Sequence, residues 1–120
     1  MNKFEDLKVW QKAMELVEQV YKISNKLPKE EKFGLISQIR RCSISIPSNI
    51  AEGAGRNSNK EFIHFLSIAN GSLSELKTQL ILISRLKFIS QDKINELLSL
   101  SDEIQRMIYS LQNSLKKTNY

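Results

Sequence analysis

With 120 residues, 41% hydrophobic and 26% charged, the chain is long enough to bury one core and too short for two domains of ordinary size. Lone Cys42 excludes an internal disulfide, MNKFEDLKVW carries acids where a signal peptide needs an apolar centre, and no run approaches the roughly 18 apolar residues of a membrane span, so the expected location is the cytoplasm. The net charge of +5 and pI near 9.4 suit polyanions such as RNA or DNA, with the excess of bases lying between residues 28 and 90.

Only four Gly and two Pro interrupt the chain, which favours long helices over many short strands. The first predicted helix spans 7–26. Leu7, Trp10, Ala13 or Met14, Val17 and Val20 or Tyr21 fall on one stripe at spacings of three and four, Asp6 is a candidate N-cap, and Leu27-Pro28 closes the segment.

The second helix is expected over 29–53, opened by Pro28 with Glu30 and Glu31 in its first turn. Ile36, Ile39, Ser43, Ile46 and Ile50 form its stripe, and the phase runs straight through Pro47. That predicts a continuous helix kinked at Pro47, with a break at Ser48-Asn49 as the alternative. Gly53 and Gly55 mark its end.

Ser58 to Glu61 has the spacing of a capping box and opens a third helix over 58–89. Phe62, Leu66, Ala69, Leu73, Leu76, Leu80 and Ile83 keep a heptad rhythm through Asn70-Gly71. A glycine inside a helix costs up to about 1 kcal/mol, so Gly71 suggests the close approach of another helix. Ser90 caps a fourth helix over 91–117, whose stripe of Ile94, Leu97 or Leu98, Ser101, Ile104, Ile108, Leu111 and Leu115 ends at Lys116 and Lys117. The sum is a single domain over 1–120, all-α, an antiparallel up-and-down four-helix bundle.

A helix from 58 to 89 would run about 48 Å, long for a bundle of this mass. Ile44, Ile63, Ile81 and Leu82 lie off the core stripes and, with Gly71, are the candidate contacts of a homo-oligomer.

Few residues offer chemistry. His64 is the single histidine and has no second His, Cys or Glu at metal-ligand spacing, so no metal is expected. Cys42 sits beside core positions, as a buried inert thiol does. An Arg56/His64 pair of ribonuclease type would span seven intervening residues and straddle the cap at Ser58, a poor match. Glu52, Glu61 and Glu75 are scattered over different turns, and Gly53-Ala54-Gly55-Arg56 lacks the strand that precedes a phosphate loop. No catalytic residue and no cofactor is expected.

The polar side of the second helix is more specific. Gln38, Ser45, Ser48, Asn49 and Glu52 form a hydrogen-bonding band with Arg41 among them. One reading is a buried polar network that fixes helix register or a subunit seam. The other is a recognition surface with Arg40, Arg41, Arg56 and Lys60 reaching phosphates or a partner. No aromatic side chains interleave with these bases.

Ser37-Gln38-Ile39-Arg40-Arg41, Ser45-Ile46-Pro47-Ser48-Asn49-Ile50-Ala51-Glu52-Gly53 and Gly55-Arg56 closely resemble the bacterial four-helix bundle family also called the 23S ribosomal RNA intervening-sequence protein family. Phe4, Asp6-Leu7 and Val9-Trp10-Gln11-Lys12-Ala13 look like its first helix, and Ser72-Leu73 with Glu75-Leu76 like its third, over roughly residues 4–90. The resemblance implies a ring-like homopentamer with no established enzymatic activity, encoded in some bacteria within intervening sequences of large ribosomal RNA genes. The fold is also similar to the accessory variability determinant of diversity-generating retroelements, which implies a reverse transcriptase and nucleic acid as possible partners. The leading expectation is therefore an oligomeric, non-enzymatic scaffold that binds nucleic acid or a nucleic-acid-processing protein through a basic surface. The alternatives are a purely protein-binding structural module and the Arg56/His64 ribonuclease.

Overall fold

A computed structural model describes residues 3–118. Four helices carry the fold: α1 (Lys8–Ser24), α2 (Ser37–Ala54), α3 (Asn59–Arg85) and α4 (Gln91–Lys116). Each packs on the next, and α1 closes against α4. Cross-links between α3 and α4 run in opposed order, from Ser84–Gln91 through Lys77–Gln105 to Asn59–Leu115, which makes the pair antiparallel. The architecture is the up-and-down four-helix bundle that the periodicity predicts. Among the described residues there is no strand, and no helix is long and apolar enough to cross a membrane.

The core is a single column of Leu and Ile side chains. Leu16, Ile39, Ile46, Ile50, Leu66, Leu73, Leu76, Leu80, Ile94 and Leu97 are all fully buried. Each such side chain contributes roughly 1.5–3 kcal/mol relative to leaving it in water. Buried Ser43 and Ser101 lie where the stripes place them, and both hydroxyls bond their own helix, to the carbonyls of Arg40 at 2.9 Å and Leu97 at 2.8 Å. Burial of a hydroxyl is tolerated because its hydrogen bond is kept.

The stripe on α1 is a correction. Val9, Ala13, Leu16, Val20 and Ile23 face the core, while Trp10, Val17 and Tyr21 are half-buried and Met14 is exposed. Both stripes have helical spacing, so the period alone cannot choose between them. Asp6 is not the cap: it lies in a 3-10 turn over Phe4–Asp6, and extended Leu7 precedes the helix without a side-chain cap bond. That turn is held by Gln11 Nε2 donating to the Glu5 carbonyl at 2.8 Å and by the edge of Phe4 against Trp10, centroids 5.3 Å apart.

The second helix is continuous through Pro47, with no break at Ser48-Asn49. An irregularity that the period does not predict lies earlier. Lys29–Glu31 is a 3-10 turn and Lys32–Ile36 a π-type turn, with Gly34 outside helical geometry at φ −109° and ψ −111°. The Glu31 carboxylate accepts the Leu35 N–H at 3.2 Å, and the α-helix proper begins only at Ser37.

Ser58 caps α3 as the sequence indicates, its Oγ accepting the Glu61 N–H at 3.2 Å, and Ser90 caps α4 in the same way at 3.3 Å. The far end of α3 falls short of residue 89. Lys87 turns into the left-handed region at φ 63°, and the N–H groups of Lys87 and Phe88 bond back to Ser84 and Ile83 at 3.0 and 3.2 Å. This is a Schellman closure, which satisfies the last carbonyls of the helix. At 27 residues α3 is about 40 Å long and matches the 26 of α4, so helix length gives no reason for a second copy.

Gly71 meets no other helix of its own chain. A Cβ there would have nothing within 4 Å, so no helix of this chain approaches it. Gly71→Ala is therefore expected to raise the unfolding free energy by about 0.5–1 kcal/mol through helix propensity alone. Urea unfolding at fixed protein concentration checks this; a loss of stability would place the backbone of another copy against this glycine.

Candidate functional site

The polar band of α2 divides in two. Toward α3, Ser45 Oγ meets Ser72 Oγ at 2.6 Å, Asn49 Nδ2 donates to the Ser45 carbonyl at 2.8 Å, and the Cys42 thiol donates to the Ser72 carbonyl at 3.0 Å. The two bonds to Ser72 join α2 to α3, while the Asn49 bond stays within α2. Gln38, Arg41 and Ser48 are exposed on the outer side and make no side-chain hydrogen bond among the described residues. Glu52 turns to Arg56, at 2.8 Å.

Burial, with the Glu75 carboxylate adding to it, pushes the Cys42 thiol up to about 12. It stays protonated at neutral pH and is a packing residue. His64 is exposed, with its ring edge-on to Phe65 at 5.7 Å. The Arg56 guanidinium lies over the same Phe65 ring at 4.8 Å while paired with Glu52, which gives it a structural role. Among the described residues no three His, Cys, Asp or Glu side chains gather as a metal site.

Of the four candidate phosphate contacts, the structure leaves two free. Arg40 is turned toward α1: its Nε donates to Ser24 Oγ at 2.7 Å, its Nη2 to Asn25 Oδ1 at 2.8 Å, and its guanidinium covers the Tyr21 ring at 4.6 Å. It clips the last turn of α1 to α2. Arg56 is held as described. Arg41 and Lys60 are exposed and make no ion pair among the described residues.

Folding also relocates the charge. The end that carries the α1–α2 and α3–α4 links holds Lys22, Lys26, Lys29, Lys32, Arg85, Lys87 and Lys93 against Glu30, Glu31, Asp92 and Glu96. At the opposite end Lys3, Lys8, Arg56, Lys60, Lys116 and Lys117 stand against Glu5, Asp6, Glu52 and Glu61. Arg40, bonded to Ser24 and Asn25, adds to the first end, so both tips are positive and the waist between them carries no net positive charge.

The apolar candidates fall on different faces. Ile44, 42% exposed, joins Trp10, Met14, Val17, Pro47 and Ala51 in an open groove between α1 and α2. Ile81 and Leu82, 46% and 43% exposed, are on α3, as are exposed Ile68 and Leu86; at about 100° per residue Ile68 and Ile81 stand on opposite flanks of the helix. Ile63 is half-buried and its carbonyl accepts from Gln112 of α4 at 3.1 Å, while Gly71 is open on the outer face of α3. Sequence reasoning missed the α1 side of the groove, because Trp10, Met14 and Val17 fit a core stripe equally well. It also missed Phe33, the most exposed large apolar side chain at 88%, whose only signal is its place beside Gly34 in a link.

The profile of the 23S rRNA-intervening sequence protein family matches residues 5–110. Among solved structures, a protein of unknown function from the S23 ribosomal protein family of Bacteroides thetaiotaomicron VPI-5482 is 28% identical, with a TM-score of 0.81 over 88% of this chain and 95% of that one. No curated protein matches significantly.

Proposed function

As this chain belongs to the 23S rRNA-intervening sequence protein family, we propose that it is a self-associating, non-enzymatic scaffold whose positive tips bind nucleic acid or a protein that processes it. Neither the family nor the similar solved structure names a catalytic activity. The observation that carries the reading is what the bundle leaves uncovered: exposed apolar side chains on α1–α2 and on α3, with the net positive charge at both ends.

An apolar groove between α1 and α2 and exposed apolar side chains on α3 suit head-to-tail association, in which one face of each copy meets the other face of the next and a closed ring follows where the rotation closes. A ring built at the waist leaves the tips free. It also collects their positive charge on two rims, which strengthens attraction to a phosphate backbone beyond what one chain supplies.

Binding of a structured RNA is expected to be tight at low ionic strength and to weaken about a hundredfold between 50 and 200 mM salt, the loss for about four neutralised phosphates. A salt titration by filter binding or anisotropy measures this. Absence of binding at 50 mM would remove the nucleic-acid part of the proposal, and a partner protein recovered after nuclease treatment and high salt would replace it.

A further inference from the structure

Phe33 has no structural role that accounts for it. It is 88% exposed and does not pack on the core, whereas Leu35 and Ile36 next to it do. Its ring is presented by the π-type turn Lys32–Ile36, and the turn is built for it. A Cβ at Gly34 would sit 2.9 Å from the Glu31 carboxylate oxygen, so glycine is what lets Glu31 fold back and cap Leu35. That cap also draws the negative charge of Glu31 into the turn. The Lys32 ammonium lies over one face of the Phe33 ring, 5.5 Å from its centroid, which leaves the other face for a base, and Lys29 is exposed one turn earlier, with Glu30 the acid left on the same link.

We infer that Phe33, flanked by Lys29 and Lys32, is a stacking site for an unpaired base of single-stranded nucleic acid. This deepens the nucleic-acid part of the proposed function and rests on it. An exposed aromatic face with cations beside it is the pairing that single-strand binders use: the ring takes the base and the ammonium groups take the phosphates on either side. A duplex offers its base faces to nothing outside the stack, so the ring discriminates between the two forms. A protein partner is the poorer fit. One ring supplies at most about 250 Å² of contact, far below the roughly 1,000 Å² of a specific protein interface.

The test is anisotropy of a labelled 12-nucleotide oligo(A) RNA and a 12-base-pair RNA duplex at 50 mM salt, with the wild type, Phe33→Ala and Phe33→Tyr. Truncation of so exposed a side chain leaves the fold intact, which circular dichroism verifies. Phe33→Ala is expected to weaken single-strand binding about tenfold or more and duplex binding less than twofold, and Phe33→Tyr to restore it. Equal single-strand affinity of Phe33→Ala and wild type overturns the inference. So does a change in sedimentation coefficient, which would seat the ring on another copy. If the wild type binds the duplex and not the single strand, the inference falls and the scaffold reading stands; if it binds neither, both fall.

Discussion

Gly53→Ala is expected to destabilise the bundle by about 1–3 kcal/mol, although alanine is the better helix former by about 1 kcal/mol. Gly53 is buried in the last turn of α2, where that helix passes the start of α3. A Cβ there would stand 2.7 Å from Phe65 Cβ, 2.9 Å from Phe62 Cδ1 and 3.3 Å from the Phe62 carbonyl oxygen. A Cβ and a carbonyl oxygen belong to the frame of a helix and do not swing aside. The helix ends also cannot part easily, since Arg56 lies over Phe65 and Ser58 caps the first turn of α3. Urea unfolding at constant protein concentration reads the effect. A variant as stable as the wild type would show that α2 and α3 separate there without cost, and Phe65 would then not be the anchor of that corner.

Ile44→Asp is expected to leave the bundle folded and to weaken self-association at least a hundredfold. At 42% exposure Ile44 tolerates a carboxylate in the separate chain, because the charge stays in water. Inside a subunit seam the same carboxylate would be stripped of water opposite Trp10, Met14 and Pro47, with no cation lining the groove and only neutral donors such as the Ser48 hydroxyl. A desolvation penalty on the order of 3 kcal/mol corresponds to that hundredfold. Met14→Glu, across the same groove on α1, is expected to act alike. Sedimentation velocity against concentration reads both. Variants that associate as the wild type does would move the seam away from α1 and α2.

The contrast between Gly53 and Gly71 shows where the sequence is legible. Period and caps place four helices, Ser58 caps as its spacing to Glu61 suggests, Ser90 caps as its place before the fourth stripe suggests, and Ser43 and Ser101 are buried on the stripes that contain them. These are local matters of hydrogen bonding and phase, and neighbouring residues carry them. Which glycine meets another helix depends on how α2 crosses α3, which no window along one helix contains. Gly53 reads as a helix end and is a contact within the chain; Gly71 reads as a contact and meets nothing of its own chain.

The same limit applies to the candidate site. On α1 two stripes share the helical period, and only docking against α4 and α2 decides that Val9, Ala13 and Leu16 go inward. Arg40 and Arg41 are adjacent and equally basic, yet their directions differ by about 100° around the helix, so one clips Ser24 and Asn25 and the other meets solvent. The charge excess runs through the middle of the chain and lies at the tips of the fold, because the up-and-down path brings the α1–α2 and α3–α4 links to one end and the α2–α3 link to the other.

Sedimentation equilibrium of the wild-type chain across the micromolar range is the most direct test of a scaffold that works by joining copies of itself. A species several times the 13.9 kDa of one chain, persisting as the protein is diluted, is the predicted result. A single 13.9 kDa species throughout would contradict it, and the groove between α1 and α2 would then be surface that no second copy covers.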